Sequence, residues 1–403
     1  MKLEIKSKNK LSYKNFIQDT HLNIKLKGKL NKNFKKFTNK IFREIHSTTN
    51  IFHSLSSNFK LNFSPKELKD FEKYNTFLVI GMGGSSLGSE AIYNFLKRKI
   101  KKKFIFLNNL DEEQLKNLKK SYNFKKIAFI IISKSGSTLE TLTNIFFLKL
   151  IKQNKKNIII ISDQNRNSLS SLAKKHNLLF VEHKKYIGGR YSVFSEPGML
   201  PAYFMGINFK ANFQKNFSSK QKIFLKDSST KLANILLSKK MGSIIFFNYI
   251  PQLNHFLFWL QQLISESLGK KGLGFLPVVS KAPKDHHSLL QLYLDGPKDK
   301  LFYIFSHDDK NSINISKKFL KLRKNISINK IKMAQKNAFV EILKEKKIPF
   351  REFKLTKLNE KVLSEMFLYF FLEVAFVGLL ANINPFNQPA VEQVKIKTNK
   401  KLI

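Results

Sequence analysis

Residues Ile127–Thr141 read IAFIIISKSGSTLET. The run Ile127–Ile132 is short, apolar and isoleucine-rich, with polar flanks, the pattern of a strand buried on both faces of a parallel sheet. From Leu139 onward Leu142, Ile145, Phe146, Leu148 and Ile151 recur at helical spacing. Between strand and helix lie Ser133, Lys134, Ser135, Gly136, Ser137 and Thr138. Such a turn offers hydroxyls and unpaired backbone N–H groups at a helix N-terminus, where an anion is favoured. Ser137 and Glu140 also have the S-x-x-E spacing of a capping box. A cap accounts for one hydroxyl and leaves three, so the stretch is read as a site for a phosphate monoester.

The same alternation extends outward. Strand-like runs Phe77–Ile80, Phe104–Leu107, Ile158–Ile161 and Leu178–Val181 flank it, interleaved with helical segments such as Ser86–Leu96 and Glu112–Lys120. That order indicates βαβ units and a parallel sheet. A polar stretch, Asn208–Ser229, precedes a second series. It comprises Ser243–Phe247, a helix from Pro251, Leu301–Phe305, a helix near Ile331–Lys344, Phe350–Leu355 and a final helix Glu360–Leu380. The expected architecture is a mostly helical lead-in over residues 1–70, then two tandem α/β/α sandwiches with mainly parallel sheets, over 71–207 and 208–403.

With 403 residues, 42% of them hydrophobic, the chain has material for two cores. Cysteine is absent, which excludes disulfides and thiolate metal sites. No N-terminal run suits a signal peptide. The longest apolar stretch, Met366–Ala381, contains Glu373 and is shorter than the ~20 residues of a spanning helix, so a buried core helix in a cytoplasmic protein is expected. The net charge of +45 suggests nucleic acid, but only six of the 73 basic residues are arginine. Readers of bases and phosphates lean on the arginine fork. Lysine, asparagine, isoleucine and phenylalanine are over-used together, as coding in an AT-rich genome produces. Neither a nucleic-acid nor a membrane partner is expected, although the positive field favours encounter with an anionic substrate.

Four further segments carry chemistry. Gly81-Met82-Gly83-Gly84-Ser85-Ser86-Leu87-Gly88 ends the first strand of the alternation. It imitates a dinucleotide fingerprint without the acidic residue on the next strand. Read as a turn, its glycines let backbone approach a sugar, with Ser85 available to a phosphate. In Gly188-Gly189-Arg190 paired glycines precede a rare arginine suited to a developing oxyanion. Gln262 and Glu266 lie four apart on the helix Pro251–Leu268, which carries Pro in its first turn and Gly269 past its end. A carboxylate at a helix C-terminus is disfavoured by the macrodipole, a position that suits a proton carrier. Asp285-His286-His287-Ser288 sets adjacent histidines in a polar turn, and Asn384–Lys395 is a proline-bracketed loop entering a helix.

Taken in order, GMGGSSLGSEAI, SKSGSTLET, GGRYSVFSEPGMLP, SESLGK, DHHSLLQLYLDGP and NPFNQPAVEQVK resemble the phosphoglucose isomerase family. The resemblance implies two sugar-isomerase (SIS-type) domains that interconvert glucose 6-phosphate and fructose 6-phosphate without metal or cofactor. It implies phosphate binding by Ser133, Ser135 and Thr138, with Lys134, Ser85 and the glycines Gly84 and Gly189 at hand. It makes Glu266 the base with Gln262 beside it, and Arg190 the stabiliser of the enediolate. His287, rather than His286, opens the sugar ring and comes from the partner subunit of a homodimer; Lys395 and Gln388 contact the sugar. The family's D-Q-P-G reads Asn387-Gln388-Pro389-Ala390 here. Two alternatives share the domains: a bifunctional phosphoglucose/phosphomannose isomerase, and a non-catalytic sugar-phosphate-binding regulator.

Overall fold

The computed structural model describes residues 3–6, 11–15, 17, 29–45, 47–153, 156–208, 219–316 and 325–402. Its strands are β1 (Leu3–Lys6), β2 (Leu11–Asn15), β3 (Thr76–Ile80), β4 (Lys103–Leu107), β5 (Ala128–Ile132), β6 (Ile158–Ser162), β7 (Leu179–Glu182), β8 (Ser243–Asn248), β9 (Leu276–Lys281), β10 (Lys300–His307), β11 (Asn314–Ile315), β12 (Ile326–Ser327) and β13 (Phe350–Leu355). Every strand-like run singled out in the sequence falls on one of them. The chain divides into two units. One comprises Lys40–Lys215 with Asn359–Phe367; the other comprises Met1–Asn39, Asn216–Leu358 and Leu368–Ile403.

In the unit holding the SKSGS turn, five parallel strands run in the order β4-β3-β5-β6-β7. All five residues of β5 and of β6 are buried, which is why these strands read as isoleucine-rich apolar runs rather than as alternations. On one face Leu78, Ile80, Phe129, Ile131 and Ile160 pack with Leu115, Ile145, Leu169 and Ala173 from three helices. On the other, Phe77 stacks on Phe204 and Phe104 lies against Tyr93. Helices on both faces complete three layers. Strand order reverses between β3 and β5, and in such sheets the crevice beyond the carboxyl ends at that point receives the ligand.

The other unit's sheet has the order β1-β2-β13-β10-β8-β9. Strands β13, β10, β8 and β9 are parallel, while β2 joins β13 antiparallel. Phe339, Val340 and Leu343 of the helix Ile328–Glu345 cover one face; on the other, Phe370 packs on Phe353 and on Phe256. Phe370 belongs to the helix Glu360–Leu380, which is apolar and long enough to cross a membrane, yet 94% of its most apolar window is buried within the protein. It is a core helix. Glu373 is accommodated there by Arg351 of β13, with Nη2 to Oε1 at 2.8 Å.

Three segments differ from expectation. The mostly helical lead-in also contains strands β1 and β2, with Tyr13 opposite Phe353; its long helix is Lys29–Glu44, with short helical turns at Ile51–Leu55 and Pro65–Leu68. Lysines between the apolar residues obscure the two-residue period over so few residues. Within the polar stretch after Asn208, residues 219–229 begin the helix Ser219–Ser238, and 209–218 lie outside the described residues. Strand β9 is disguised in the sequence by Pro277. It is an edge strand, a place where a missing N–H is tolerated.

Candidate active site

The SKSGS turn leaves β5 on the reversal side of the sheet. Ser133 is buried, and its hydroxyl lies 2.7 Å from that of Thr138. Ser135 and Ser137 are exposed, their hydroxyls 3.4 Å apart. No capping box forms: the helix Leu139–Phe147 starts from Thr138 as N-cap without a side-chain bond. Ser137 lies one residue ahead of the cap, so its pairing with Glu140 is out of register, and the hydroxyls stay gathered at the turn. Gly136 has φ +63°, and a Cβ there would meet Asn167 Oδ1 at 1.8 Å. The carbonyls of Lys134 and Gly136 accept from the backbone N–H groups of Asp163 and Leu169 at 3.0 and 3.1 Å. The β6 loop thus holds the turn from behind, a role of Asn167 and Asp163 that spacing did not disclose.

The two glycine loops meet beside it. A Cβ on Gly81 would sit 2.7 Å from the Ile132 carbonyl oxygen, so the loop after β3 presses on the end of β5. A Cβ on Gly84 would come within 2.1 Å of the Gly189 carbonyl carbon, and Ser192 Oγ donates to the Gly189 carbonyl at 2.7 Å. Ser85 is half-buried at the end of the short helix Gly83–Ser85. Arg190 is 1% exposed, its guanidinium 5.2 Å from the Tyr191 ring. Burial first, and then the charges of Arg190 and Lys185, hold the Lys134 ammonium below the usual lysine range, with Asp163 opposing them. Burial and the Lys134 charge likewise push the His183 imidazole down to about 4. His183 thus keeps its neighbours from facing a third cation; as a lone histidine at a strand end it had no sequence signal.

In the other unit, the helix Asn254–Leu268 ends at Gly269 and carries Gln262 and Glu266 on one face. Gln262 Nε2 donates to Glu266 Oε1 at 2.8 Å, which turns the carboxylate and leaves Gln262 Oε1 buried without a protein partner. Glu266, Lys270, Asn384 and Gln388 line one cavity of about 790 Å³. Lys270 Nζ, the last residue of the SESLGK motif, donates to the Asn384 carbonyl at 2.6 Å and ties the loop to the helix end.

The adjacent histidines divide. His286 faces inward: its Nε2 is 2.7 Å from the Tyr249 hydroxyl and its ring packs on Phe247. Burial and then the neighbouring His287 lower its pKa. His287 is exposed. Asp285 fixes the turn by accepting from Ser280 Oγ and the Lys281 N–H at 2.9 and 2.6 Å. Lys395 is exposed on the helix Pro389–Leu402 and pairs with Glu392 at 2.8 Å. Neither His287 nor Lys395 lines the cavity that holds Glu266 and Gln388.

The phosphoglucose isomerase family profile matches residues 67–273. The glucose-6-phosphate isomerase of Methanocaldococcus jannaschii is 32% identical over 348 residues, which cover 81% of this chain and 84% of that protein. Among solved structures, a hypothetical protein from Thermus thermophilus matches with a TM-score of 0.78 at 24% identity, covering 93% of this chain and 95% of the other. A glucose-6-phosphate isomerase from Chlamydia trachomatis matches with a TM-score of 0.76 at 17% identity, covering 97% and 88%. At such identities the structural likeness speaks for the fold.

Proposed function

This chain belongs to the phosphoglucose isomerase family, and from that premise we propose that it interconverts glucose 6-phosphate and fructose 6-phosphate through a cis-enediol, a step of glycolysis and gluconeogenesis. The observation that carries the reading is Glu266, held by Gln262, lining the cavity that Gln388 also lines. The hydroxyls of Ser133, Ser135 and Thr138, with Lys134, Ser85 and the backbone at Gly84 and Gly189, hold the phosphate. Glu266 takes the proton from C2 of the open-chain aldose and returns it to C1. Arg190 stabilises the negative oxygen of the intermediate. His287 and Lys395 open the ring, and Gln388 orients the sugar. Aldose and ketose contain the same atoms at the same overall oxidation level, so proton transfers balance the reaction and it needs no cofactor.

A homodimer in which His287 completes the partner's site belongs to the same proposal. It is supported by the exposure of His287 and by Val391, Val394, Ile396 and Leu402 exposed on the helix Pro389–Leu402. So does a cytoplasmic location without nucleic-acid or membrane partners. The relative from M. jannaschii is named for the glucose 6-phosphate reaction alone, which leaves the phosphomannose and regulator alternatives without support. Purified protein supplied with fructose 6-phosphate in an assay coupled to glucose 6-phosphate oxidation should show sustained turnover. No turnover rejects the proposal.

A further inference from the structure

The stretch Met366–Ala381 poses a physical problem that its burial does not solve. The helix Glu360–Leu380 buries Ser364 and Glu365 in its first half, but from Met366 onward it buries Phe367, Phe370, Phe371, Val374 and Phe376, among others, and Glu373 is the one carboxylate there. The apolar side chains of such a stretch set no strong preference for one rotation, because buried Phe, Leu and Val exchange places at modest cost. A slip of one residue turns such a helix by about 100° and shifts it by about 1.5 Å.

Glu373, 1% exposed, breaks this degeneracy. Arg351, itself 0% exposed, grips its carboxylate in a fork, Nη1 to Oε2 at 3.0 Å and Nη2 to Oε1 at 2.8 Å. The Tyr369 hydroxyl donates to Glu373 Oε1 at 2.6 Å, accepts from Arg351 Nη2 at 2.5 Å and lies 2.6 Å from Ser228 Oγ. Arg351 cannot drift to follow the helix. Its β13 backbone lies between β10 and β2, and its guanidinium is 4.6 Å from the Tyr303 ring and 5.1 Å from that of Phe353. The network is also incomplete, since Arg351 Nε is buried without a partner. Apolar side chains in place of a buried ion pair are often neutral or stabilising, so stability alone does not account for it.

What lies beyond Glu373 does. At the helix end the Ile383 N–H donates to the Gly378 carbonyl at 2.8 Å, and Pro385 Cβ occupies the space where a Gly378 side chain would begin, 2.8 Å away. The Asn382 carbonyl accepts from Lys271 Nζ at 3.0 Å, and the Asn384 carbonyl from Lys270 Nζ at 2.6 Å. Every link between Glu373 and the cavity loop is short, so a turn of the helix is delivered to Gln388. We propose that Arg351 and Glu373 are positioning residues: their ion pair sets the rotation and register of the last core helix, and thereby places Gln388 beside Glu266. This rests on the proposed use of that cavity by the sugar.

The test is the apolar double variant Arg351→Met with Glu373→Leu, measured against Gln388→Ala in both backgrounds. The double variant should melt at or above the parent temperature while kcat/KM for fructose 6-phosphate falls about tenfold or more. Gln388→Ala should cost at least threefold less in that background than in the parent, since the side chain it removes is already displaced. Parental kcat/KM in the folded double variant overturns the inference. A silent Gln388→Ala in the parent is a different failure, that of the cavity reading. Should the double variant not fold, Arg351→Lys decides. It keeps the charge and loses the fork, so a melting temperature near the parent with reduced kcat/KM supports the positioning role, and unchanged kcat/KM overturns it.

Discussion

At the scale of single residues, the chemistry assigned to Glu266 gives the sharpest expectation. Glu266→Gln keeps the size of the side chain and its bond to Gln262 while removing the proton acceptor. Turnover should fall by ~10²–10⁴-fold with KM little changed, measured by steady-state kinetics; unchanged turnover would remove Glu266 from the mechanism. His183 gives a second expectation, in stability. Its folded pKa is about 4 against an ordinary 6.5, so between those values the unfolded chain binds the proton and the native chain does not. Stability is therefore complete above pH 6.5 and declines as pH falls toward 4, by up to ~3 kcal/mol from this group. His183→Asn should flatten that part of the denaturation profile. An equally acid-labile variant would show that His183 is not the group responsible.

At the scale of elements, the sequence disclosed what has a period or a boundary residue. β5 and the helix Leu139–Phe147 were legible because an isoleucine run meets a hydroxyl cluster. The helix Asn254–Leu268 was legible because Pro251 and Gly269 bracket it. β9 hid behind Pro277, which its edge position tolerates, and β1 and β2 hid behind lysines that break up a short alternation. The site followed the same division. Ser133, Thr138 and Glu266 are local to their motifs, whereas the support of the turn by Asn167 and Asp163, and the tie between Lys270 and Asn384, join segments distant in sequence and exist only once the sheets form. The contact between the two glycine loops can be probed directly. Gly84→Ala drives a methyl group into Gly189 backbone 2.1 Å away, whereas a methyl group at Gly189 finds its nearest neighbour, Gly84 Cα, at 3.8 Å. Gly84→Ala should cost about 1–3 kcal/mol and Gly189→Ala far less, compared by thermal melting; equal costs would refute the packing.

At the scale of the whole molecule, the subunit that supplies His287 can be identified by mixing. Glu266→Gln and His287→Ala homodimers should each be inactive. If His287 serves the partner's site, a heterodimer of the two keeps one site with both groups intact, so random reassociation restores roughly a quarter of parental activity. No recovery after demonstrated subunit exchange would place both groups in the same chain's site.

The hairpin β1–β2 bears on how the chain reaches this state. Leu11 pairs with Leu355 and Asn15 with Arg351, so the residues of β2 must wait for partners far later in the chain before they are covered. Contacts so distant along the chain close late and slow the final docking step. Until then β13 has an open flank, available to a stray strand from another molecule. Nascent chains stalled short of Phe350 should therefore remain protease-sensitive within β1 and β2.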